Sequence, residues 1–576
     1  MPFSTLSPAP WYNRLAETGL LTGLLLRAAA PAVAQQPAVP VTITVDVAKS
    51  LAPMQPMWAY FGYDEPNYTT MKDGQKLLTE LAALSPTPVY VRTHNLLTTG
   101  DGTAALKWGS TNAYTEDKKG RPVYDWKIVD GIFDSYISRG MKPIAQIGFM
   151  PEALSTHPVP YRHHWKPGDN YNDIYTGWAY PPKDYAKWGE LVYQWVKHCV
   201  ARYGETEVQS WPWELWNEPN IGYWKGTPEE YQKLFDYTEQ AVHRACPAAQ
   251  LGGPETTDPR DPKAAAFLRN FLTHCVSGTN YATGKTGTRL DFITFHAKGR
   301  PQVVDGHVRM NMGVQLRNAV EGFKVVAEFP TLKNLPIIIG ENDPEGCAAC
   351  SVELSPQNAY RNGTMYSSYT AASYAHLYAL AAQYQVNLRG AVSWSFEFEN
   401  QPWFAGFRDL ATNGVDKPVL NVFRMLGLMG TGHRVQVTSP TALPLAETAN
   451  PDRSPQPDIS ALAATDARSA SVLVWNYHND DLPAPPAEVE VVLRGLTVPQ
   501  ALLQHYRIDQ DHSNAYAAWQ RMGSPQNVSA EQRATLEQAG QLALLTSPSW
   551  VSSKNGETVL HFTLPRQGVS LLRLSW

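Results

Sequence analysis

Two glutamates of this sequence stand directly after short apolar runs. Glu218 lies in the string Trp213-Glu214-Leu215-Trp216-Asn217-Glu218-Pro219-Asn220, and Pro219 favours an extended backbone at Glu218. Glu341 follows the apolar run 336–340. A carboxyl group that stays protonated and a second that stays ionised are what cleavage of a glycosidic bond requires. The two residues therefore predict glycoside hydrolysis, while the alternative for Glu218 is an ion pair with an arginine at the rim of a pocket.

Asp343 and Glu345 compete with Glu341 for the role of the second carboxylate. Both lie further along the loop, where a solvated acidic side chain is the usual finding. We therefore favour Glu341.

Three further side chains are candidates for binding a sugar. His94 and His296 each end an apolar run, and Trp394 lies in another. We expect the two histidines to contact sugar hydroxyls and Trp394 to form the floor of the pocket. The alternatives are hydrogen-bonded core histidines and ordinary packing of the tryptophan. The 18 Trp and 28 Tyr also supply flat faces that can stack on sugar rings or fill a core.

These residues belong to an alternation of apolar runs and amphipathic stretches between about 55 and 430. Eight runs predict strands: 58–62, 89–94, 143–149, 213–216, 251–253, 292–296, 337–340 and 391–396. Helices are predicted over 72–84, 126–140, 184–203, 228–245, 262–275 and 357–383. Thr227-Pro228 and Asp261-Pro262 are typical helix starts. The pattern predicts a (β/α)8 barrel, whose active site lies at the carboxyl ends of its strands.

The regions outside the barrel differ in composition. Residues 1–34 resemble a signal peptide, which predicts a periplasmic or secreted protein. Residues 35–54 alternate like a strand and are assigned to an N-terminal segment that joins a sandwich. We place the catalytic barrel at 55–430 and an antiparallel β-sandwich at 431–576.

Composition excludes several function classes. The chain has 576 residues, a net charge of -5 and a pI near 6.3. It contains no long basic run, so neither nucleic acid nor a membrane is the expected partner. His157, His163 and His164 lack metal-site spacing, and Cys347 and Cys350 lack a second pair for zinc. We predict no metal and no cofactor, and Cys347 and Cys350 are either a local disulfide or inert thiols.

The sequence resembles glycoside hydrolase family 39, and most closely its bacterial β-xylosidases. The resemblance implies that Glu218 is the acid/base, that Glu341 is the nucleophile, and that Asn217 holds the 2-hydroxyl of the sugar. It rests on residues 61–68, 148–151, 216–220, 506–509 and 512–514.

The family contains β-xylosidases and α-L-iduronidases, and the sequence has features of both. Lys298, two residues after His296, and the run 342–344 resemble the iduronidase branch, whereas 396–399 and 413–418 resemble the xylosidase branch. We predict a retaining exo-acting β-xylosidase that acts on small oligosaccharides in xylan degradation. The sequence does not determine its oligomeric state. An α-L-iduronidase-like or α-L-arabinosidase enzyme and an inactive carbohydrate-binding protein are the alternatives.

Overall fold

Eight parallel strands form a closed barrel in the computed structural model, which describes residues 39–444 and 456–576. They are β1 (Tyr60–Tyr63), β2 (Tyr90–Thr93), β3 (Lys142–Ile147), β4 (Pro212–Leu215), β5 (Gln250–Thr256), β6 (Phe292–Phe295), β7 (Ile337–Ile339) and β8 (Leu388–Ala391). Each strand pairs with the next one along the chain. A parallel bridge between Phe61 and Ser393 closes the ring. The predicted (β/α)8 architecture is confirmed.

Helices surround the barrel strands. They are α1 (Lys72–Ala82), α2 (Lys127–Ile137), α3 (Tyr185–Tyr203), α4 (Glu205–Gln209), α5 (Pro228–Ala245), α6 (Pro262–Ser277), α7 (Met312–Ala327), α8 (Thr364–Tyr384) and α9 (Pro418–Leu428). Short 3₁₀ helices span Pro66–Thr70, Tyr171–Ile174, Gly177–Ala179 and Pro356–Asn362. Short hairpins pair Tyr114–Glu116 with Pro122–Tyr124, Gln302–Val304 with His307–Arg309, and Ala411–Thr412 with Val415–Asp416.

The predicted helix starts are confirmed by their capping bonds. The Thr227 side chain accepts from the Glu230 N–H while the Glu230 side chain accepts from the Thr227 N–H, and Pro228 opens α5. Asp261 accepts from the Lys263 N–H at the start of α6, where Pro262 occupies the first turn. These bonds fix where the chain turns from the barrel rim back toward its base.

Two element predictions require correction. The helix predicted over 357–383 is a 3₁₀ helix and then α8, separated by Gly363. The eighth strand runs over 388–391 instead of 391–396. The Val392 and Ser393 N–H groups still donate to the neighbouring strands at Ile339 and Tyr60, but the Trp394 N–H donates to Asp343. Helices α4, α7 and α9 were not predicted.

A second, mostly antiparallel sheet forms the β-sandwich. It contains an N-terminal strand (Val39–Pro53), β9 (His433–Thr438), β10 (Asp458–Thr465), β11 (Ser469–Tyr477), β12 (Ala487–Arg494), β13 (Gln500–Ile508), β14 (Ala543–Leu544), β15 (Ser549–Ser552), β16 (Glu557–Leu564) and β17 (Val569–Ser575). The N-terminal strand pairs antiparallel with β9 and parallel with β12. Alternate residues of these strands, including Ile43, Val472 and Leu572, form its core.

Helices at two places join the sandwich region to the barrel. Helix α8 is buried on nearly all sides because it also packs against β11, and His376 on α8 lies 2.9 Å from Asp458 of β10. Helices α10 (Ala515–Arg521) and α11 (Ala530–Gly540) pack on the loop after β8, where Phe404 contacts Trp519. The C-terminal region thereby supports a loop at the barrel rim.

Cys347 and Cys350 form a disulfide in the loop after β7, and Cys199, Cys246 and Cys275 are buried free thiols. Across residues 39–444 and 456–576, no helix combines the length and apolar character needed to cross a membrane. The predicted signal peptide, residues 1–34, lies outside the described residues.

Candidate active site

The turn after β4 delivers Glu218 to the carboxyl end of the barrel. The extended backbone predicted for Glu218 is wrong: Trp216 and Glu218 have left-handed backbones, with φ of 68° and 43°. A non-glycine residue adopts this conformation only when its surroundings enforce it. The Glu218 N–H donates to the Glu255 carbonyl at 2.8 Å, and the Trp216 indole N–H donates to the Tyr223 carbonyl at 2.9 Å. These bonds leave Glu218 only 7% exposed.

Glu341 follows β7, and its two competitors have other partners. Asp343 accepts the Trp394 N–H at 3.0–3.1 Å, and burial raises the pKa of this carboxyl to about 7. Glu345 accepts hydrogen bonds from Arg361 and Arg408. Of the three acidic side chains in this loop, only Glu341 forms an ion pair with Lys298.

Lys298 lies between the two glutamates. Its Nζ is 2.8 Å from Glu218 Oε1 and 2.7 Å from Glu341 Oε2. Burial disfavours the charge of Lys298, but the two carboxylates raise the pKa of its ammonium well above the usual range. Burial also disfavours the Glu218 carboxylate, yet Lys298 and His296 hold the pKa of Glu218 well below its usual range. Glu218 is therefore ionised in the unliganded site.

His296 contacts both the Glu218 side chain and a carboxylate behind it. Its Nδ1 lies 2.9 Å from Glu218 Oε1, and its Nε2 lies 2.7 Å from Glu255 Oε2. Burial acts against the charged ring, but Glu341, Glu218 and Glu255 raise the pKa of His296 to about 9. The ring is therefore an imidazolium at neutral pH, with both of its nitrogens able to donate.

Arg92, on β2, joins the remaining groups of the site. Its Nε donates to Glu214 at 2.7 Å, and its Nη2 donates to Asn217 Oδ1 at 3.1 Å. Its Nη1 lies 3.1 Å from His94 Nε2 and 3.6 Å from Glu341 Oε1. The guanidinium thus fixes the Asn217 amide and supplies positive charge beside Glu341.

His94 and Trp394 pack against each other. Because Arg92 can only donate, His94 Nε2 accepts from it and Nδ1 carries the proton that faces Asp64 Oδ1 at 2.9 Å. The His94 and Trp394 rings are 4.5 Å apart. Trp394 lies over Gly62, where an added Cβ would come within 2.4 Å of the indole ring. Each of these two rings is at most 2% exposed.

The structure thus brings all seven sequence-predicted residues into one network of contacts: Glu218, Glu341, Asn217, His94, His296, Lys298 and Trp394. His157 and His163 lie elsewhere, against Tyr180 and Trp108 respectively.

The site also contains a set of side chains with the spacing of metal ligands. Among the described residues, ligand atoms of Glu218, His296 and Glu341 lie within 4.8 Å of one another. Lys298 places its ammonium in contact with both of these carboxylates. The Lys298 ammonium therefore supplies positive charge to both carboxylates.

Sequence reasoning missed Arg92 and Glu255. Arg92 is the one charged residue in the buried run 89–94, and Glu255 follows the run 251–253 as Glu218 and Glu341 follow theirs. A carboxylate or an arginine near the end of a predicted strand was therefore the sequence signal that could have identified both residues.

Comparisons with known proteins identify the family of the chain. The family model described as "Glycosyl hydrolases family 39" matches residues 41–554. A β-xylosidase of Caldicellulosiruptor saccharolyticus is 27% identical over 460 residues, covering 77% of this chain and 82% of the relative. An α-L-iduronidase of Mus musculus is 26% identical over 531 residues, covering 86% and 74%. The crystal structure of a monomeric β-xylosidase from Caulobacter crescentus CB15 superposes with a TM-score of 0.70 at 21% identity, covering 93% of this chain and 99% of that one.

Proposed function

The chain belongs to glycosyl hydrolases family 39, and from that premise we propose that it is a retaining exo-glycosidase that releases xylose from the non-reducing end of β-xylosides. The observation that carries the mechanism is the separation of the two glutamates, whose nearest ligand atoms lie within 4.8 Å. Carboxyl groups about 5–5.5 Å apart suit double displacement, whereas an inverting enzyme needs about 6.5–9.5 Å to admit a water.

In the first step Glu341 attacks the anomeric carbon while Glu218 gives a proton to the leaving oxygen. Arg92 Nη1 lies 3.6 Å from Glu341 Oε1 and places a positive charge beside the nucleophile. Glu218 must first gain a proton, which its contact with Lys298 opposes. A sugar that separates Lys298 from Glu218 therefore prepares the acid.

In the second step Glu218 acts as the base. Water attacks the anomeric carbon, its proton passes to Glu218, and the bond to Glu341 breaks with its electron pair returning to the carboxylate. The two inversions give net retention. Asn217, held by Arg92 at 3.1 Å, is the group proposed to bind the 2-hydroxyl.

Xylose is supported by the relatives named β-xylosidase and by the strings 396–399 and 413–418. The second candidate is an α-L-iduronide, which Lys298 favours: its ammonium lies in the site, 2.7 Å from Glu341. A uronate carboxylate would gain a charge-assisted bond there, about twice as strong as a neutral one.

A panel of aryl glycosides that differ only in the sugar tests the proposal. We expect the β-D-xyloside to be hydrolysed well above the α-L-iduronide, with side activity on the α-L-arabinoside. Proton NMR of the first-formed anomer should show retention. An inverted first product would contradict the covalent mechanism. A preference for the iduronide would favour the second candidate. If no glycoside is hydrolysed, the protein is an inactive carbohydrate-binding protein.

We further propose that the enzyme acts outside the cytoplasm, as residues 1–34 indicate. Detection of the enzyme in the periplasm or medium, lost when these residues are deleted, tests this.

A further inference from the structure

Glu255 is a fully buried carboxylate that the two-glutamate mechanism does not use. It is the next-to-last residue of β5, with a left-handed φ of 54°, and it is 0% exposed. Within the described residues, neither of its oxygens accepts a hydrogen bond of good geometry. Its charge is balanced by two ion pairs, with His296 at 2.7 Å and with Arg92 at 3.7 Å.

Burying a carboxylate is costly even when it is ion-paired, so packing alone does not account for it. The barrel also leaves room for it: a Cβ added to Gly340, at the end of β7, would come within 2.1–2.4 Å of the Glu255 carboxylate. Burial opposes its ionisation, but Arg92 and contacts with Glu214 and His296 lower the pKa of Glu255 to about 2. The group is therefore a permanent negative charge behind His296.

The charges around His296 change during the proposed reaction. Glu218 and Glu341 face its Nδ1 at 2.9 and 3.9 Å, Glu255 faces its Nε2, and Lys298 is two residues away along the chain. When Glu341 is esterified in the covalent intermediate, its negative charge disappears. Of the two carboxylates that form ion pairs with the ring besides Glu218, only Glu255 keeps its charge; Asp258 also acts on His296 but forms no ion pair with it.

We propose that Glu255 is a positioning residue that keeps His296 cationic in the covalent intermediate and thereby keeps Glu218 ionised for the second step. The chain of contacts is direct, since the His296 ring touches Glu255 with one nitrogen and Glu218 with the other. Glu255 itself touches no reacting atom. This inference rests on the proposed function, because it assigns a role within the second displacement.

Replacing Glu255 by glutamine keeps the shape of the side chain and removes its charge. On the dinitrophenyl glycoside of whichever sugar the wild type accepts, the first step needs little acid and the second limits kcat. We expect kcat of Glu255→Gln to fall about tenfold or more and KM to fall in parallel, leaving kcat/KM nearly unchanged. Azide, which needs no base, should restore kcat and give a glycosyl azide of the substrate's configuration.

Two measurements on Glu255→Gln report the charges directly. In NMR of ¹³C-histidine-labelled enzyme, the pKa of His296 should fall. Loss of this cation raises the pKa of Glu218, so its carboxylate form is lost at a higher pH, and the acidic limb of kcat should move upward. Glu255 also faces Arg92 and Glu214, so a change in activity alone does not show that His296 is the group affected. The titration is therefore measured on His296 itself.

Two variants complete the experiment. Glu255→Asp keeps the charge and should restore the His296 titration and kcat. Asp236→Asn is the control, because Asp236 is another buried carboxylate paired with a histidine, at 3.0 Å from His274. Asp236 lies on α5 and His274 on α6, outside the site. This variant should not lower kcat while leaving kcat/KM unchanged. An unchanged His296 titration, or equal losses of kcat and kcat/KM in Glu255→Gln, overturns the inference. A wild type without retained hydrolysis overturns the proposed function instead.

Discussion

Replacing Lys298 by methionine removes the charge that contacts both glutamates at 2.7–2.8 Å. The two carboxylates then face each other with ligand atoms within 4.8 Å. At that distance, and with an effective dielectric constant of about 20, their repulsion is about 3.5 kcal/mol. The wild type has the same repulsion, but there Lys298 attracts the Glu218 carboxylate at 2.8 Å by about 6 kcal/mol on the same scale, which corresponds to about 4 pKa units. The variant should therefore hold a proton on Glu218 over a range of pH where the wild type is ionised.

The assay is the pH dependence of kcat/KM for an aryl β-D-xyloside. Glu218 must be protonated in the first step, so the alkaline limb reports its pKa in the free enzyme. Lys298 lowers that pKa, and its removal should move the limb to higher pH by up to about four units. Hydrolysis of the xyloside should be only partly impaired, whereas any hydrolysis of an α-L-iduronide should collapse.

Lys298→Arg is the matched control, because it keeps the charge and should leave the alkaline limb near its original position. A limb that stays in place in Lys298→Met, or moves toward acid, would show that Lys298 is not paired with Glu218 in solution. A xyloside rate that collapses as far as the iduronide rate would contradict the proposed substrate.

The other predictions concern the two glutamates and their support. Glu341→Gly should abolish turnover, and azide should restore part of it with a product of inverted configuration. The nucleophile assignment is wrong if Glu345→Gly loses activity while Glu341→Gly does not. Glu218→Ala should spare substrates with very good leaving groups, as a comparison of aryl glycosides would reveal. Gly340→Ala should lower the free energy of unfolding by about 1–3 kcal/mol in a denaturant titration, because its Cβ meets Glu255; unchanged stability would refute that clash.

The sequence predicts the residues that end strands and leaves out those whose role depends on neighbours from other strands. Glu218 and Glu341 are predictable because each follows an apolar run, and a barrel brings all such positions to one mouth. Arg92 is hidden within such a run. Its partners come from strands up to about 250 residues further along the chain, so no local pattern reveals that it points into the barrel.

The same distinction applies to the fold. Helices with proline and capping residues at their starts, such as α5 and α6, are predictable. Helix α7 begins after Asn311 without a capping bond from that side chain, so the local signal is missing. Strand β8 is displaced from its predicted position because Asp343, on another loop, engages the backbone of Trp394.

The N-terminal strand has a consequence for synthesis. Its residues 39–53 pair with 433–438 and 487–494, so the partners leave the ribosome about 380 to 450 residues later. At roughly 5–20 residues per second, the last of them follows after about 20–90 s. The barrel strands, 60–391, are made in that interval, while the first strand has two unpaired edges open to wrong partners. Assembly of the sandwich is therefore the late event, and it recruits strands from both flanks of a barrel that is already synthesised.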